Sequence, residues 1–208
     1  CVIIKSTSNA DNWATWHRSL AANQNLFLNL TQGVDAVTNG LTASSTAFTP
    51  SNDSAVSGRT YVAYLFAHNA GGFGLTGTDN VISCGSFTTD GSGNATVSLG
   101  YEPQWLMARA VTTTDNWRMF DTMRGLSLTG NRQLLANTSD AEGNPVPLFY
   151  PNATGFTTNG AGGNLVSNAT YIYIAIRRGP MKVPTDATKV YNAIARTGTG
   201  SSVTVSCV

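Results

Sequence analysis

A chain of 208 residues, 41% of them hydrophobic, is long enough to bury a core and too apolar to be disordered throughout. Only 11% of its residues are charged and the net charge is +1, against about 25% charged in an ordinary globular domain. So weak a field excludes electrostatic attraction of nucleic acid or an acidic membrane, and no apolar run approaches the roughly 18 residues of a membrane-spanning helix. Polarity comes instead from Ser, Thr, Asn and Gly; Glu occurs only at Glu102 and Glu142. Threonine suits a pleated surface, and Asn and Gly supply turns with positive φ, so the composition predicts strands and turns.

In chain order, residues 2–5 form an apolar strand, and residues 13–17 alternate large and polar side chains as a half-buried strand does. Residues 25–29 read as extended, and Asn39-Gly40 marks a turn. Residues 61–67 are aromatic and β-branched almost throughout, which predicts a central strand buried on both faces. Residues 81–87 and 95–99 read as a hairpin around Asp90-Gly91-Ser92-Gly93. Further strands are predicted at 106–110, 117–121 and 171–176, with a helical turn at 132–137 and a flexible loop at 160–163. A weaker echo of the hairpin follows at 190–196 and 202–207, around Thr197-Gly198-Thr199-Gly200. About ten to fourteen strands, no helix beyond two turns and dominant antiparallel pairing point to an all-β sandwich or jelly roll.

Self-comparison exposes a duplication. Cys1-Val-Ile-Ile-Lys5 and Asp11-Asn12-Trp13 are answered by Trp105-Leu-Met-Ala-Arg109 and Asp115-Asn116-Trp117 at an offset of 104. Asn25-Leu-Phe-Leu-Asn29 is answered by Gln133-Leu-Leu-Ala-Asn137, and Thr46-Ala-Phe-Thr49 by Thr154-Gly-Phe-Thr157, both at 108. Thr60-Tyr-Val-Ala-Tyr-Leu-Phe-Ala67 is answered by Thr170-Tyr-Ile-Tyr-Ile-Ala-Ile-Arg177 at 110. Blocks in one order with a slowly drifting offset imply small loop insertions between fixed strands. A partial third copy ends the chain, where Val203-Thr-Val-Ser206 answers Ala95-Thr-Val-Ser98. The expected division is a first copy over 1–79, a second over 80–181, and a linker with the partial third copy over 182–208. The first copy lacks the strand that precedes Trp105 in the second. Either the sequence is a segment of a longer repeat protein, or the C-terminal strand fills that gap.

The candidate chemistry is sparse. Asp11 and Trp13 in one copy, and Asp115 and Trp117 in the other, form the expected carbohydrate-binding set, since an aromatic face beside carboxylate and amide groups is how sugars are held. The same residues serve equally as core anchors with Asp and Asn closing a turn. His17 and His68 are replaced by Asp121 and Arg178 in the second copy and read as surface or satisfied histidines without a metal. Cys1, Cys84 and Cys207 read as buried small hydrophobes, with a terminal Cys1–Cys207 bridge as an alternative. Arg177, Arg178 and Lys182 read as a solvated strand end. No nucleophile elbow, phosphate loop or carboxylate pair of the kind a glycosidase needs stands out, so no enzyme, no cofactor and no metal is expected.

The assembled motifs resemble an uncharacterised β-rich domain of structural proteins of tailed bacteriophages, especially those of marine and freshwater bacteria. The residues that carry the resemblance are an apolar strand followed by Asn-Trp, at residues 3–13 and 106–117; Phe120-Asp-Thr-Met-Arg-Gly125; Asn137-Thr-Ser-Asp-Ala-Glu142; Gly155-Phe156; and Tyr171-Ile-Tyr-Ile-Ala175. The first copy lacks the second and third of these features. The resemblance implies tandem copies, a lectin-like sandwich and a virion component such as a tail fibre, spike or head decoration, with attachment at the host surface as the role to look for. The expected partners are copies of itself in a homo-oligomer, a trimer for preference, other virion proteins and a host-surface glycan. A secreted carbohydrate-binding module is the alternative expectation, and a glycan depolymerase a more distant one.

Overall fold

A computed structural model describes residues 1–51, 54–126, 130–143, 147–162 and 165–178. The strands expected at 190–196 and 202–207, together with Lys182 and Cys207, lie outside the described residues. The first half carries β1 (Val2–Ser6), β2 (Ala14–Trp16), β3 (Gln24–Phe27), β4 (Asp35–Ala36), β5 (Thr42–Ala43), β6 (Phe48–Thr49) and β7 (Tyr61–Leu65). The second carries β8 (Ile82–Thr88), β9 (Thr96–Ser98), β10 (Pro103–Ala110), β11 (Arg118–Asp121), β12 (Leu134–Leu135), β13 (Phe149–Asn152), β14 (Gly155–Thr158) and β15 (Thr170–Arg177). Among the described residues that makes fifteen strands, above the expected range because several are only two residues long.

The fold is all-β and sandwich-like, with antiparallel pairing throughout the ladders. One five-stranded sheet has the order β4-β3-β2-β1-β7 and the other β12-β11-β10-β15-β8; β13-β14-β9 form a smaller sheet and β5-β6 a two-stranded one. Four strands of each large sheet repeat in order and register, β3-β2-β1-β7 in one and β12-β11-β10-β15 in the other, while β4 and β8 lie at opposite edges. Val2↔Trp16 and Ile3↔Thr15 on β1–β2 become Leu106↔Phe120 and Met107↔Met119 on β10–β11. On β1–β7, Val2↔Leu65 and Ser6↔Tyr61 become Leu106↔Ala175 and Ala110↔Tyr171 on β10–β15. Thr15↔Leu26 becomes Met119↔Leu134, and Ala43↔Phe48 becomes Pro151↔Phe156. These pairings carry the sequence offsets of 104, 108 and 110. The drift is therefore loop length, absorbed outside the ladders.

Alternation along each strand sends side chains to two faces and so builds three apolar layers. Between the large sheets lie Cys1, Ile3 and Leu26 from one and Cys84, Met107, Trp117, Ile172 and Ile174 from the other. Ile3 and Met107 occupy matching positions, so the sheets meet through equivalent faces. On the far side of the second sheet, Leu106, Ala108, Phe120, Tyr171 and Tyr173 pack on Phe149, Phe156 and Val97 of the small sheet. On the far side of the first, Val2 and Ile4 pack with Leu41, Phe48 and Tyr61.

Four sequence expectations are corrected. Residues 61–67 read in sequence as a central strand, but β7 is an edge strand with Leu65 61% exposed, because no described strand pairs on its far side. Its counterpart β15 is central and buried, as expected. The stretches 81–87 and 95–99 do not pair as a hairpin: β8 joins β15 while β9 joins β14. The Asp90 turn instead carries the chain from one sheet to another, bonded by Asp90 N–H to the Asn94 carbonyl. Within residues 132–137 the chain forms the strand β12 at Leu134–Leu135 and then a turn closed by the Thr138 N–H on the Leu135 carbonyl, and Gly160–Gly162 forms a 3-10 turn.

Candidate functional site

The Asp-Asn-Trp corners carry the candidate binding residues, and each corner is built the same way. In the first, Asn29 accepts from the Trp13 N–H at 2.9 Å through Oδ1 and donates through Nδ2 to Asn12 Oδ1 at 2.9 Å. In the second, Asn137 accepts from the Trp117 N–H at 2.8 Å and donates to Asn116 Oδ1 at 2.7 Å. Backbone bonds from Leu28 to Trp13 and from Ala136 to Trp117 complete the match. Each amide thus holds the chain entering one strand to the chain leaving the next. The amides expected for sugar hydroxyls are engaged with each other. Sequence reasoning misses Asn29 and Asn137 in this role, although both close the aligned block at offset 108.

Above this shared clamp the corners differ. Trp117 is 1% exposed, and its Nε1–H donates to the Phe27 carbonyl at 2.8 Å. Arg109 lies over the ring at 5.4 Å and donates to the carbonyls of Phe27, Leu30 and Gln32. Burial pushes this guanidinium down to about 10, with Asp115 acting in the opposite direction, so it remains charged at neutral pH. Asp115 is buried, accepting from the Ala110 N–H at 3.1 Å and from Arg118 at 2.9 Å. Trp117 and Arg109, with the Asp115 N–H donating to the Thr31 carbonyl at 3.0 Å, therefore tie the second half to residues 27–32 of the first, and such a ring has no face to offer a sugar. Lys5, in the position of Arg109, turns to the carbonyls of Ser6 and Asn9 instead. Trp13 is half-buried and stacks on Tyr64 with ring centroids 6.2 Å apart.

Asp11 lies in a different setting from Asp115. Its carboxylate meets Arg59 at 2.6 Å, and both line a cleft of about 370 Å³ with Asn12, Asn25, Tyr61 and Ser6. Asn25 is 6% exposed, and its Oδ1 has no hydrogen-bond partner among the described residues. A buried, unpartnered carbonyl oxygen beside an ion pair and a phenol makes this a polar recess of the first half. Trp13 does not line it, so the structure separates the two members of the first candidate pair. Arg59 carries no signal in the sequence, since it does not recur in the second half, and Asn25 is answered there by the amide Gln133.

The two aspartates respond differently to neutralisation. Asp115→Asn should cost about 2 kcal/mol, since it strips the buried Arg118 of its counter-charge. Asp11→Asn, at a half-exposed pair, should cost less than about 1 kcal/mol. Urea denaturation of both variants measures the difference, and equal losses would contradict the asymmetry of the corners.

The remaining reactive groups are occupied by packing. His17 is buried, with Nε2 3.1 Å from the Tyr173 carbonyl and Nδ1 accepting from the Ser19 N–H. His68 Nδ1 accepts from the Cys84 N–H at 3.1 Å. Cys1 and Cys84 are free and buried, and burial raises the Cys84 thiol above its ordinary range. Among the described residues there is no group of three or more His, Cys, Asp or Glu placed to hold a metal ion.

No curated protein and no solved structure matches the chain. A family model described as a domain of unknown function, DUF7483, matches residues 1–180 and so spans both halves with the interface between them. The chain belongs to that family.

Proposed function

We propose that the protein is a non-enzymatic structural component of a tailed-phage virion, a tail fibre, spike or head decoration, that self-associates as a homo-oligomer of trimeric form. One observation supports this reading above the others: two sheets that share the order and register of four strands pack through equivalent faces. Binding energy is invested in a rigid scaffold, with Trp117, Arg109 and Asp115 spent on joining the halves. The bacteriophage resemblance of the motifs supplies the setting. Antibodies raised against the chain should label intact particles in electron microscopy, and sedimentation of the purified protein should give a trimer. Unlabelled particles together with a monomer at all concentrations would overturn the proposal.

The cleft beside Asp11 supports a second reading, a carbohydrate-binding surface. The unpartnered Asn25 oxygen, the Arg59–Asp11 pair and the Tyr61 ring are suited to hydroxyl groups and a sugar face. A glycan array would then yield a binder whose affinity falls at least about tenfold in Arg59→Ala, a loss typical of one charged hydrogen bond. An array without a binder removes this reading and leaves the scaffold role intact.

A further inference from the structure

We propose that the cleft beside Asp11 is a guanidinium site, which receives an arginine side chain presented by another molecule. The assignment does not rest on the glycan reading of the same cleft; it comes from comparing the two halves position by position. Ala14 pairs with Ile4 and Phe27 in the first large sheet, and Arg118 pairs with Ala108 and Leu135 in the second. These neighbours are themselves counterparts, so Ala14 and Arg118 occupy one register position. There the second half carries its own buried guanidinium. Arg118 donates to Asp115 Oδ1 at 2.9 Å and to Gln133 Oε1 at 3.4 Å. The counterparts of those two acceptors are Asp11 and Asn25.

The first half thus keeps both acceptors and lacks the donor. Ala14 has no side chain beyond its Cβ, and it lines the cleft of about 370 Å³ with Asp11, Asn25, Phe27 and Tyr61. Asn25 is 6% exposed and its Oδ1 has no partner among the described residues, whereas the matching Gln133 Oε1 accepts from Arg118. A buried acceptor left unpaired is costly, and a donor arriving from outside removes that cost.

Arg59 does not fill this role. It stands where the second half has Ala169, and it meets Asp11 Oδ2 at 2.6 Å while the Asn25 oxygen stays unpaired. A carboxylate accepts more than one donor, so Asp11 can hold Arg59 and a second cation. The side chains of the pair are 39% and 31% exposed, and the water beside them weakens the repulsion between two guanidinium groups. A carboxylate and an amide oxygen side by side suit the planar fork of a guanidinium better than an ammonium, whose charge sits at one point. Phe27 and Tyr61 offer apolar surface for the stem of such a side chain.

Titration of the full 208-residue chain, labelled with nitrogen-15, with methylguanidinium tests the site by nuclear magnetic resonance. The Asn25 side-chain amide and the Ala14 backbone amide should shift saturably, with a dissociation constant on the order of 1 mM. Methylammonium, which has the charge without the fork, should bind at least about tenfold more weakly. Ala14→Arg gives the first half the guanidinium of the second, and should abolish the saturable shift. Ala14→Met fills the same space without a donor and should abolish it too. Only Ala14→Arg satisfies Asn25, so its urea midpoint should lie above that of Ala14→Met. Shifts that grow linearly across the whole surface, binding that survives in both variants, or equal binding of methylammonium would each overturn the proposal. Equal urea midpoints would overturn it as well. With binding established, sedimentation of Ala14→Arg separates the sources of the arginine. Dissociation into monomers assigns it to a second copy of this chain, and an unchanged oligomer assigns it to a different protein.

Discussion

Trp117→Ala is expected to destabilise the fold by about 4 kcal/mol, in the range for truncating a fully buried aromatic. The loss has three sources. The ring is buried between the two large sheets, its Nε1–H satisfies the Phe27 carbonyl, and its face supports the Arg109 guanidinium. Removing it leaves a cavity around a buried cation that also holds the backbone of residues 27–32. Trp13→Ala, at the matching corner, removes a half-buried ring stacked on an exposed tyrosine and should cost about 1–2 kcal/mol. Chemical denaturation followed by circular dichroism compares the two without depending on the tryptophan signal. Equal losses would mean that the corners are energetically equivalent, contrary to their burial. Trp117→Phe, which keeps most of the ring, should recover all but about 1 kcal/mol, the value of the lost hydrogen bond.

Acidification from pH 7 to pH 4 is expected to remove about 3 kcal/mol through His17 alone. Burial lowers this imidazole from 6.5 to about 3, and the nearby positive charge of Arg18 acts in the same direction. The neutral ring is required by its contacts, because Nδ1 accepts from Ser19 and Nε2 is left to donate to the Tyr173 carbonyl. In the unfolded chain the ring takes up a proton below about 6.5, while the folded protein refuses it until about pH 3. The stabilisation is therefore complete above pH 6.5 and is lost as the pH falls towards 3. Denaturation midpoints across this window should show the slope in the native sequence. His17→Gln, which can still donate to Tyr173, should lose most of it. An unchanged slope in that variant would assign the acid sensitivity to the carboxylates instead.

Strands β1 to β3, β7 to β11 and β15, and the correspondence of the aligned blocks, are legible in the order of the amino acids alone. The apolar runs at residues 2–5 and 106–110, and the drift of the offset from 104 to 110, translate directly into ladder register. Pleat and side-chain volume act over a few residues, so they leave their mark locally in the sequence. The Asn29 and Asn137 clamps are legible in principle, being the last residues of a repeated block, yet their chemistry points equally well to a ligand.

Tertiary packing assigned the rest. Nothing in residues 61–67 distinguishes an edge from a centre, because that depends on whether another part of the chain supplies a neighbouring strand. The same holds for 82–88 and 96–98, whose pairing is settled by two different sheets rather than by the turn between them. Trp13 and Trp117 follow the same dipeptide and enter the same local clamp, yet one is half-buried and the other fully enclosed. Their difference comes from residues 27–32, which lie across Arg109 and Trp117. Local pattern sets which way a side chain points, whereas its burial depends on what the rest of the molecule brings to that face.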